Sequence, residues 1–316
     1  MNLKAKAGYY YLRASTWIIQ LFPLRFHYVA SDLVFPLIYY VIRYRRKVVF
    51  NNLANSFPEK SIGEIRMIAK KFYRNFIDSF IETLYFDRIS EKEIKKRLTI
   101  LNQDIPEQFL TDGRPVVLAL GHYNNWEWNC SWPLHSKFGG YVVYKKLTNN
   151  SFDQFYYNMR ARFGITPLER ADTYRQLSSD SKEKKPWASA FLMDQTPRKN
   201  EIQYWTTFLN QDTPIVTGTE KVARKLDAAV IFCHVRKLKR GYNRMEFTVI
   251  AAHAAQTEPF EITEKATRMI EEVILEVPEL WLWSHKRWKH QREAAEEYKQ
   301  NSEKGQIIVP AQIHRQ

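Results

Sequence analysis

The sequence has few of the residues from which cofactor and metal sites are built: two cysteines and ten glycines among 316 residues. Cys130 and Cys233 belong to no Cys-x-x-Cys or Cys/His cluster, so neither a disulfide framework nor a structural zinc site is expected. The glycines form no phosphate-binding fingerprint, neither G-x-G-x-x-G nor G-x-x-x-x-G-K-[ST]. G-x-S-x-G and H-E-x-x-H are also missing. We therefore predict no metal and no cofactor.

Acidic residues are also scarce relative to basic ones. The chain has 48 Lys and Arg against 34 Asp and Glu, which gives a formal charge of +14. This positive charge predicts an anionic partner, which could be nucleic acid, an anionic membrane, or an acidic protein or substrate. Aromatic residues make up 15% of the chain, and they can stack on nucleic-acid bases or anchor at a membrane interface. Charge alone does not decide between these partners.

Long hydrophobic runs are missing, although the N-terminal segment is apolar. Residues 16–42 are interrupted by prolines and charged residues, and the longest clean run, 33–42, is shorter than the roughly 20 residues of a spanning helix. The cluster Arg-Tyr-Arg-Arg-Lys at 43–47 follows, which is typical of attachment to anionic headgroups. We expect a membrane-associated helical region. A true membrane span, and two amphipathic helices packed on the rest of the domain, remain the alternatives.

The rest of the chain predicts an α/β fold. Ser61 and Glu64 form a capping-box pattern before a long amphipathic helix. Short apolar runs at 115–120, 141–144, 188–193, 228–234 and 245–251 predict buried strands, and helical patterns separate them at 152–163, from Thr213-Pro214 onward, and at 263–277. We predict a mostly parallel central sheet flanked by helices. The expected organisation is residues 1–47 as the membrane-associated segment, 48–292 as the catalytic domain and 293–316 as a polar tail.

Candidate chemistry begins with a histidine followed five residues later by a carboxylate. Chance predicts about one such pair in this composition, and the chain has three, at His27, His122 and His253. Only His122 directly follows the best predicted strand, and active sites of open α/β sheets lie at the carboxyl ends of strands. Asn124-Asn125 could cap a helix that carries Glu127. We expect Glu127 to hold the His122 ring in one tautomer while the other ring nitrogen acts as general base.

Two further residues, Asp194 and Cys130, are candidates for the same site. Asp194 ends a strand that we place beside the first one, so its carboxylate is a candidate site group. Cys130 lies three residues after Glu127 and is the rival nucleophile, but no second histidine is placed to activate it. We expect Cys130 to be a small buried residue.

The block Gly-His-Tyr-Asn-Asn-Trp-Glu at 121–127 resembles the signature of the bacterial lipid A biosynthesis (late) acyltransferase family, within the lysophospholipid acyltransferase-like superfamily. Other stretches resemble the family in order: residues 45–60, Arg-Ala-Arg-Phe-Gly at 160–164, Leu-Glu-Arg at 168–170, Met-Asp-Gln at 193–195, Gly-Thr-Glu at 218–220, and Pro-Glu with Trp-Leu-Trp-Ser-His-Lys-Arg-Trp-Lys at 278–289.

The resemblance implies a glycerolipid-acyltransferase-like fold and transfer of a fatty acyl chain from acyl carrier protein to a hydroxyl of a lipid A precursor, at the cytoplasmic face of the inner membrane. It places Arg162, Arg170, Asp194 and Gln195 in matching motifs, so we expect them to bind substrate. A histidine base suits direct attack of an alcohol on a thioester, without a covalent acyl-enzyme. The expected partners are acyl carrier protein, an anionic lipid acceptor and the membrane surface, with no nucleic acid.

Four alternatives remain. A glycerolipid acyltransferase of the phosphatidic-acid-forming type usually has a Pro-Glu-Gly-Thr block, which this sequence lacks. O-acylation of an aminolipid or a lysophospholipid fits the same dyad. A basic nucleic-acid-binding protein would interleave aromatic and basic residues on a recognisable module, and a membrane-bound scaffold would need no dyad.

Overall fold

A computed structural model describes residues 3–292, with side chains from residue 6 onward. The predicted polar tail, residues 293–316, lies outside the described residues. The helices are α1 (Leu3–Gln20), α2 (Leu24–Pro36), α3 (Arg46–Ser56), α4 (Ile62–Phe86), α5 (Glu91–Arg97), α6 (Asp104–Thr111), α7 (Asn150–Ala161), α8 (Thr173–Lys182), α9 (Gly218–Lys225) and α10 (Glu261–Glu276). A π-helix, Leu37–Ile42, follows α2, and a 3₁₀ helix covers Trp126–Leu134.

The strands are β1 (Leu98–Leu101), β2 (Val116–Leu120), β3 (Gly140–Tyr144), β4 (Ile165–Glu169), β5 (Ala188–Leu192), β6 (Tyr204–Phe208), β7 (Gln211–Ile215), β8 (Ala229–Lys239) and β9 (Tyr242–Ala251). Seven of them form one sheet in the order β1-β9-β8-β2-β5-β3-β4. Every neighbouring pair is parallel except β8 and β9. The predicted, mostly parallel sheet flanked by helices is confirmed, and β6 and β7 form a separate antiparallel hairpin.

The antiparallel pair in the main sheet depends on a tight turn. Only Arg240 and Gly241 connect β8 to β9, and Gly241 has a φ of +74°. A side chain at this position would be strained by that backbone angle, and its Cβ would collide with the hydroxyl group of Tyr28 on α2. The turn therefore requires glycine, and it lets α2 pack closely against the end of the hairpin.

Two hydrophobic cores lie on the two faces of the sheet, and β2 contributes to both. Its five residues are all buried. Val117 and Ala119 face the core that also contains α10, whereas Val116, Leu118 and Leu120 face the core on the opposite side. This alternation follows from the two-residue period of a strand. Burial on both faces explains why β2 is continuously apolar in sequence.

The long helix after the capping box is confirmed as α4. The Ser61 hydroxyl accepts a hydrogen bond from the backbone N–H of Glu64, and the Glu64 carboxylate accepts one from the backbone N–H of Ser61 over 2.8 Å. The helices predicted at 152–163 and 263–277 are present as α7 and α10, within a few residues at each end. The five predicted strands are β2, β3, β5, β8 and β9.

Two local predictions are wrong. Thr213 and Pro214 do not begin a helix; they lie in β7, and α9 begins only at Gly218. Pro214 is tolerated there because a two-stranded hairpin leaves one edge of each strand unpaired. The segment after His122 is a 3₁₀ helix and not an α-helix, and the side chain of Asn125 does not cap it.

The N-terminal helices are fixed to α4 by buried polar contacts. Arg13 on α1 forms an ion pair with Asp87 over 2.6 Å, and the Tyr28 hydroxyl on α2 donates to the Glu82 carboxylate over 2.6 Å. On the sides of these helices and of the following π-helix that do not contact α4, large apolar side chains remain exposed. We call this set the N-terminal apolar face: Tyr10, Tyr11, Trp17, Ile18, Leu21, Phe22, Phe26, Val29, Leu33, Val34, Leu37, Tyr40, Val41, Ile42 and Tyr44.

Among the described residues, no single helix is both long and apolar enough to cross a membrane. Residues 6–20 and 24–42 pass that test only when they are taken together, and they are bent by 111° at the break between them.

Candidate active site

His122 lies in the turn that follows β2, as predicted. The turn is fixed by residues 278–289, which we call the C-terminal segment. Tyr123 forms a β-bridge with Trp281, and the backbone N–H of Asn124 donates to the carbonyl of Leu280 over 2.8 Å. Gly121 precedes the histidine, and a Cβ there would lie 3.2 Å from an Asp194 carboxylate oxygen. The missing side chain therefore lets Asp194 approach the start of the turn closely.

Asp194 is the carboxylate that holds the His122 ring. Its Oδ1 lies 2.7 Å from His122 Nδ1, and its Oδ2 accepts hydrogen bonds from the His122 backbone N–H and from Trp281 Nε1, each over 2.7 Å. Burial alone would raise the pKa of this carboxyl, but the interactions with His122 and Trp281 outweigh burial and lower it to about 2. An ionised Asp194 only accepts hydrogen bonds, so Nδ1 carries a proton and Nε2 of the neutral ring has its lone pair available.

The sequence led us to expect that Glu127 holds the His122 ring. This prediction is wrong, because the carboxylate at the ring is that of Asp194. Glu127 lies in the first turn of the 3₁₀ helix and forms a two-point ion pair with Arg160 on α7, over 2.8 and 2.6 Å. Both residues are largely buried, and the charge of Glu127 raises the pKa of Arg160 above its usual value against the opposing effect of burial. The orienting function that the sequence assigned to Glu127 belongs to Asp194. A catalytic function of Glu127 stays a prediction.

Gln195 lies on the other side of the ring. Its side-chain Nε2 is 3.0 Å from His122 Nε2. Because Nδ1 carries the ring proton, the amide N–H donates to the lone pair of Nε2. Trp126 packs against the same ring edge to face, with centroids 4.9 Å apart. The consecutive residues Asp194 and Gln195 thus contact both nitrogens of His122.

The two predicted arginines lie apart from the ring. Arg162 donates to the backbone carbonyl of Phe86 over 2.9 Å, and it does not line either cavity described below. Arg170 forms an ion pair with Glu201 over 2.6 Å, is half exposed, and lines the larger cavity. Only Arg170 is therefore placed where it could contact a substrate that reaches His122.

Two cavities share part of their lining near His122, which itself lines only the larger one. The larger has a volume of about 910 Å³ and extends along the sheet between β2, β3 and β5, and its deep part is apolar. The smaller has a volume of about 370 Å³ and lies between α4 and the C-terminal segment. Six residues line both cavities: Trp126, Glu127, Tyr156, Gln195, Leu282 and His285. A molecule in the larger cavity could contact the imidazole directly, and one in the smaller cavity could reach it past Trp126 and Gln195, which contact the ring.

Both cysteines are free, buried, and line the larger cavity. Burial raises the pKa of the Cys130 thiol far above its usual value and that of Cys233 to about 12. The nucleophile is a thiolate, so burial keeps both side chains unreactive. This agrees with the expectation that Cys130 is a small buried residue. Within residues 3–292, no cluster of three or more His, Cys, Asp or Glu side chains could hold a metal ion.

Sequence reasoning missed two residues of the site. Trp281 donates a hydrogen bond to Asp194. It lies in the motif at residues 278–289, but a sequence motif does not show which residue a side chain contacts. Arg160 lies two residues before the arginine that we chose. Ser151, Phe155 and Met159 are the buried positions of α7. Their spacing places Arg162, three residues after Met159, closer to the buried side than Arg160 is, so helical periodicity gave no signal for Arg160.

Comparisons with known proteins place the chain in a family. A family model described as bacterial lipid A biosynthesis acyltransferase matches residues 4–290, which is most of the chain. The comparison with curated proteins gave no significant match. The matched range includes α1, the His122 turn, the Asp194–Gln195 pair and the C-terminal segment around Trp281. The chain belongs to the bacterial lipid A biosynthesis acyltransferase family.

Proposed function

We propose that this acyltransferase moves a fatty acyl chain from the thioester of acyl carrier protein to a hydroxyl group of a lipid A precursor, and that His122 is the general base. The observation that carries the proposal is the position of the imidazole. Its Nδ1 is fixed by Asp194 over 2.7 Å, its ring lines the larger cavity, and Gln195, which lies 3.0 Å from Nε2, lines both cavities. A base that deprotonates an alcohol must lie between the acceptor and the acyl donor.

The reaction follows from this geometry in two steps. The acceptor hydroxyl gives its proton to His122 Nε2 while its oxygen attacks the thioester carbon, and Asp194 stabilises the imidazolium that forms. The tetrahedral intermediate then collapses, the carbon–sulfur bond breaks, and the departing thiolate takes the proton from Nε2. The buried thiols of Cys130 and Cys233 take no part, so no acyl-enzyme forms.

The larger cavity has the chemistry of an acyl-chain site. Its deep part is formed by apolar side chains of the sheet and of the 3₁₀ helix, including Leu118, Trp132, Val142, Ala190 and Met245. Burying the methylene groups of a fatty chain there is favourable, at about 0.8 kcal/mol per CH₂. A chain that enters from the side of His122 would leave its thioester beside the imidazole.

Cations on the open side of this cavity suit the carrier protein. Lys145, Arg170, Arg198 and Lys289 are exposed and line the cavity. Lys145 and Lys289 form no ion pair with any residue that the structure describes, so they remain available for the phosphate of the carrier's prosthetic group or for carboxylates on its surface.

Arg240 differs from Lys145 and Lys289 because its guanidinium group already pairs with carboxylates. It forms ion pairs with Asp32 and Asp78 and stacks over the Tyr28 ring at 4.4 Å. Its burial and its carboxylate partners fit a structural role between the β8–β9 turn and α2. Arg240 ends a basic stretch, Arg-Lys-Leu-Lys-Arg at 236–240. This stretch is therefore a weaker candidate for partner binding than the cations of the larger cavity.

The smaller cavity suits the acceptor. Asn75, Ser79 and Thr83 of α4 line it together with Phe76 and Phe80, and Arg45 and Glu279 add charged groups. Such a lining offers hydrogen bonds and aromatic faces to a sugar, and a cation to an anionic group on it. An aminolipid or lysophospholipid is the alternative acceptor, because its hydroxyl would meet the same base.

The protein is further proposed to act on the cytoplasmic face of the inner membrane through the N-terminal apolar face. Many large apolar side chains exposed on neighbouring segments are typical of an interaction site. The cations Arg25, Arg43 and Lys47 lie on the same segments, which suits an anionic bilayer surface. Tyr44 belongs to this face and also lines the smaller cavity, so an acceptor could pass from the bilayer to His122.

Lipid mass spectrometry tests the function in cells. Deleting the gene should give a lipid A species that lacks one acyl chain, and the intact chain should restore it whereas His122→Ala should not. A changed aminolipid or lysophospholipid pool, with lipid A intact, would favour the alternative acceptor. Restoration of lipid A by His122→Ala would refute the proposed base.

A further inference from the structure

The nitrogen that must accept the substrate's proton is already engaged. His122 Nε2 accepts a hydrogen bond from the Gln195 side-chain amide over 3.0 Å, while Nδ1 donates to Asp194. An acceptor hydroxyl that donates to Nε2 needs the same lone pair, and one imidazole nitrogen has only one. The free enzyme therefore holds a protein N–H where the reaction requires a substrate O–H.

We propose that Gln195 occupies the position of the acceptor hydroxyl in the free enzyme and, once displaced, donates its amide N–H to the carbonyl oxygen of the attacked thioester. This inference rests on the proposed function and adds a second catalytic residue to it. Gln195 contacts the reacting nitrogen directly, in contrast to Asp194, which acts through the ring.

Three features make the amide displaceable. Gln195 lines both cavities, so space exists on either side of it. No hydrogen bond other than the one to His122 is formed by its side chain among the described residues. Breaking a single neutral hydrogen bond has a small net cost, and the incoming hydroxyl replaces it on Nε2.

The neighbouring residues keep the backbone in place during such a motion. Asp194 is fixed by His122 and Trp281, and the Thr196 hydroxyl donates to the carbonyl of Arg287 over 2.6 Å. The backbone N–H of Thr196 also bonds His285 over 3.2 Å. Only the Gln195 side chain can move, and its amide nitrogen remains close to the position that it leaves.

Charge development determines where the displaced amide is useful. When the hydroxyl oxygen bonds to the thioester carbon, the carbonyl electrons move onto the carbonyl oxygen, which becomes an anion bonded to the same carbon as the attacking oxygen. A donor displaced from Nε2 by roughly one hydrogen-bond length reaches that oxygen. Collapse of the intermediate expels the thiolate, which takes the proton from Nε2, so every proton is accounted for.

The test combines kinetics and binding on the purified full-length chain, with acyl carrier protein thioester as donor and a lipid A precursor as acceptor. Gln195→Ala should lower kcat by about 10²–10³-fold, the usual effect of losing one oxyanion donor. The same variant should bind the acceptor without donor a few-fold more tightly, because no amide must be displaced. Gln195→Glu keeps the side-chain length but not the N–H donor, and should lose kcat equally.

The matched control is Gln108→Ala, an exposed glutamine on α6 that lies outside both cavities. It should keep wild-type kcat and acceptor affinity. Thermal melting establishes that each variant is folded, and Gln195→Glu serves if Gln195→Ala is not. A kcat of Gln195→Ala within threefold of wild type, or a weakened acceptor affinity, would overturn the inference alone. A wild-type chain that transfers no acyl group to the precursor would overturn the proposed function and this inference with it.

Discussion

Asp194 accepts two hydrogen bonds from a single residue: the backbone N–H and Nδ1–H of His122 each donate to a separate carboxylate oxygen over 2.7 Å. The two residues end neighbouring parallel strands, β2 and β5, so the sheet register brings them together across 72 residues of sequence. Fixing both the backbone and the ring leaves His122 Nε2 with one direction in which to accept a proton. That restriction is what a general base requires.

Replacing Asp194 by Asn should impair chemistry rather than folding. An amide at this position can present its NH₂ group to Nδ1, which favours the tautomer with the proton on Nε2 and removes the base. We expect kcat to fall by about 10²–10⁴-fold with little change in donor KM. Steady-state kinetics checks this, with circular dichroism as the control for folding. Unchanged kcat in a folded Asp194→Asn variant would contradict this function of Asp194.

Breaking the Glu127–Arg160 ion pair should destabilise the fold. Removing one member of a buried pair leaves an uncompensated charge, which typically costs about 3–5 kcal/mol of unfolding free energy. Glu127→Met and Arg160→Met should each be costly, and the double variant should lose much less than the sum. Urea unfolding of the four proteins gives this coupling, and additive losses would contradict a direct pair. Acyl transfer by a folded Glu127→Gln variant then tests the predicted catalytic role.

Acid should destabilise the protein partly through His234. This side chain is buried between the Phe232 and Tyr123 rings, and burial, with Arg236 nearby, lowers its pKa from about 6.5 to about 4. The unfolded chain therefore binds a proton more readily than the folded one between these values, so stability falls as the pH decreases through this window.

The contribution of this one residue between pH 6.5 and 5.5 is about 1 kcal/mol. His234→Phe should reduce the pH-dependent loss by that amount in urea unfolding. His285 has a pKa lowered to about 4 by burial and retains its own contribution, so the variant should lose part of the pH dependence and not all of it. An unchanged pH dependence in His234→Phe would count against this account.

Charge introduced on the N-terminal apolar face should weaken membrane binding. Leu33 and Val41 are 74% and 70% exposed, so Leu33→Glu with Val41→Glu should fold normally and reduce partitioning to anionic vesicles. Phe152→Glu, an exposed apolar position on α7 outside this face, is the matched control. Vesicle co-sedimentation checks the prediction, and equal binding by all variants would refute membrane attachment through this face. Deleting residues 1–47 would be a poorer test, because it strips Tyr28 from the buried Glu82.

Narrowing the larger cavity should change donor selectivity. Ala190 on β5 lines it, and a larger side chain such as Phe would fill space near its apolar part. We expect Ala190→Phe to favour shorter acyl donors while transfer of those short chains persists. Competition between acyl carrier proteins loaded with chains of different length measures this. Unaltered selectivity would place the acyl chain elsewhere.

Sequence patterns predicted the sheet and the position of His122 because both depend on local features. A continuously apolar strand such as β2, bounded by turn residues, can be recognised from the sequence alone, and so can the Ser61–Glu64 capping box. The carboxylate that contacts His122 cannot be recognised in this way. Asp194 and Glu127 are both carboxylates near the predicted edge, and the choice between them depends on the register of β2 with β5 and on the 3₁₀ geometry after Asn125, neither of which a local spacing encodes.

A single-turnover experiment with the purified full-length chain tests whether His122 is the base for direct acyl transfer. Acyl carrier protein carrying a radiolabelled acyl group is mixed with a lipid A precursor, and label is followed in lipid and in protein. Wild type should move the label to the precursor without a labelled enzyme, and His122→Ala should leave it on the carrier. Transfer at the wild-type rate by His122→Ala, or label bound covalently to the enzyme, would contradict this prediction.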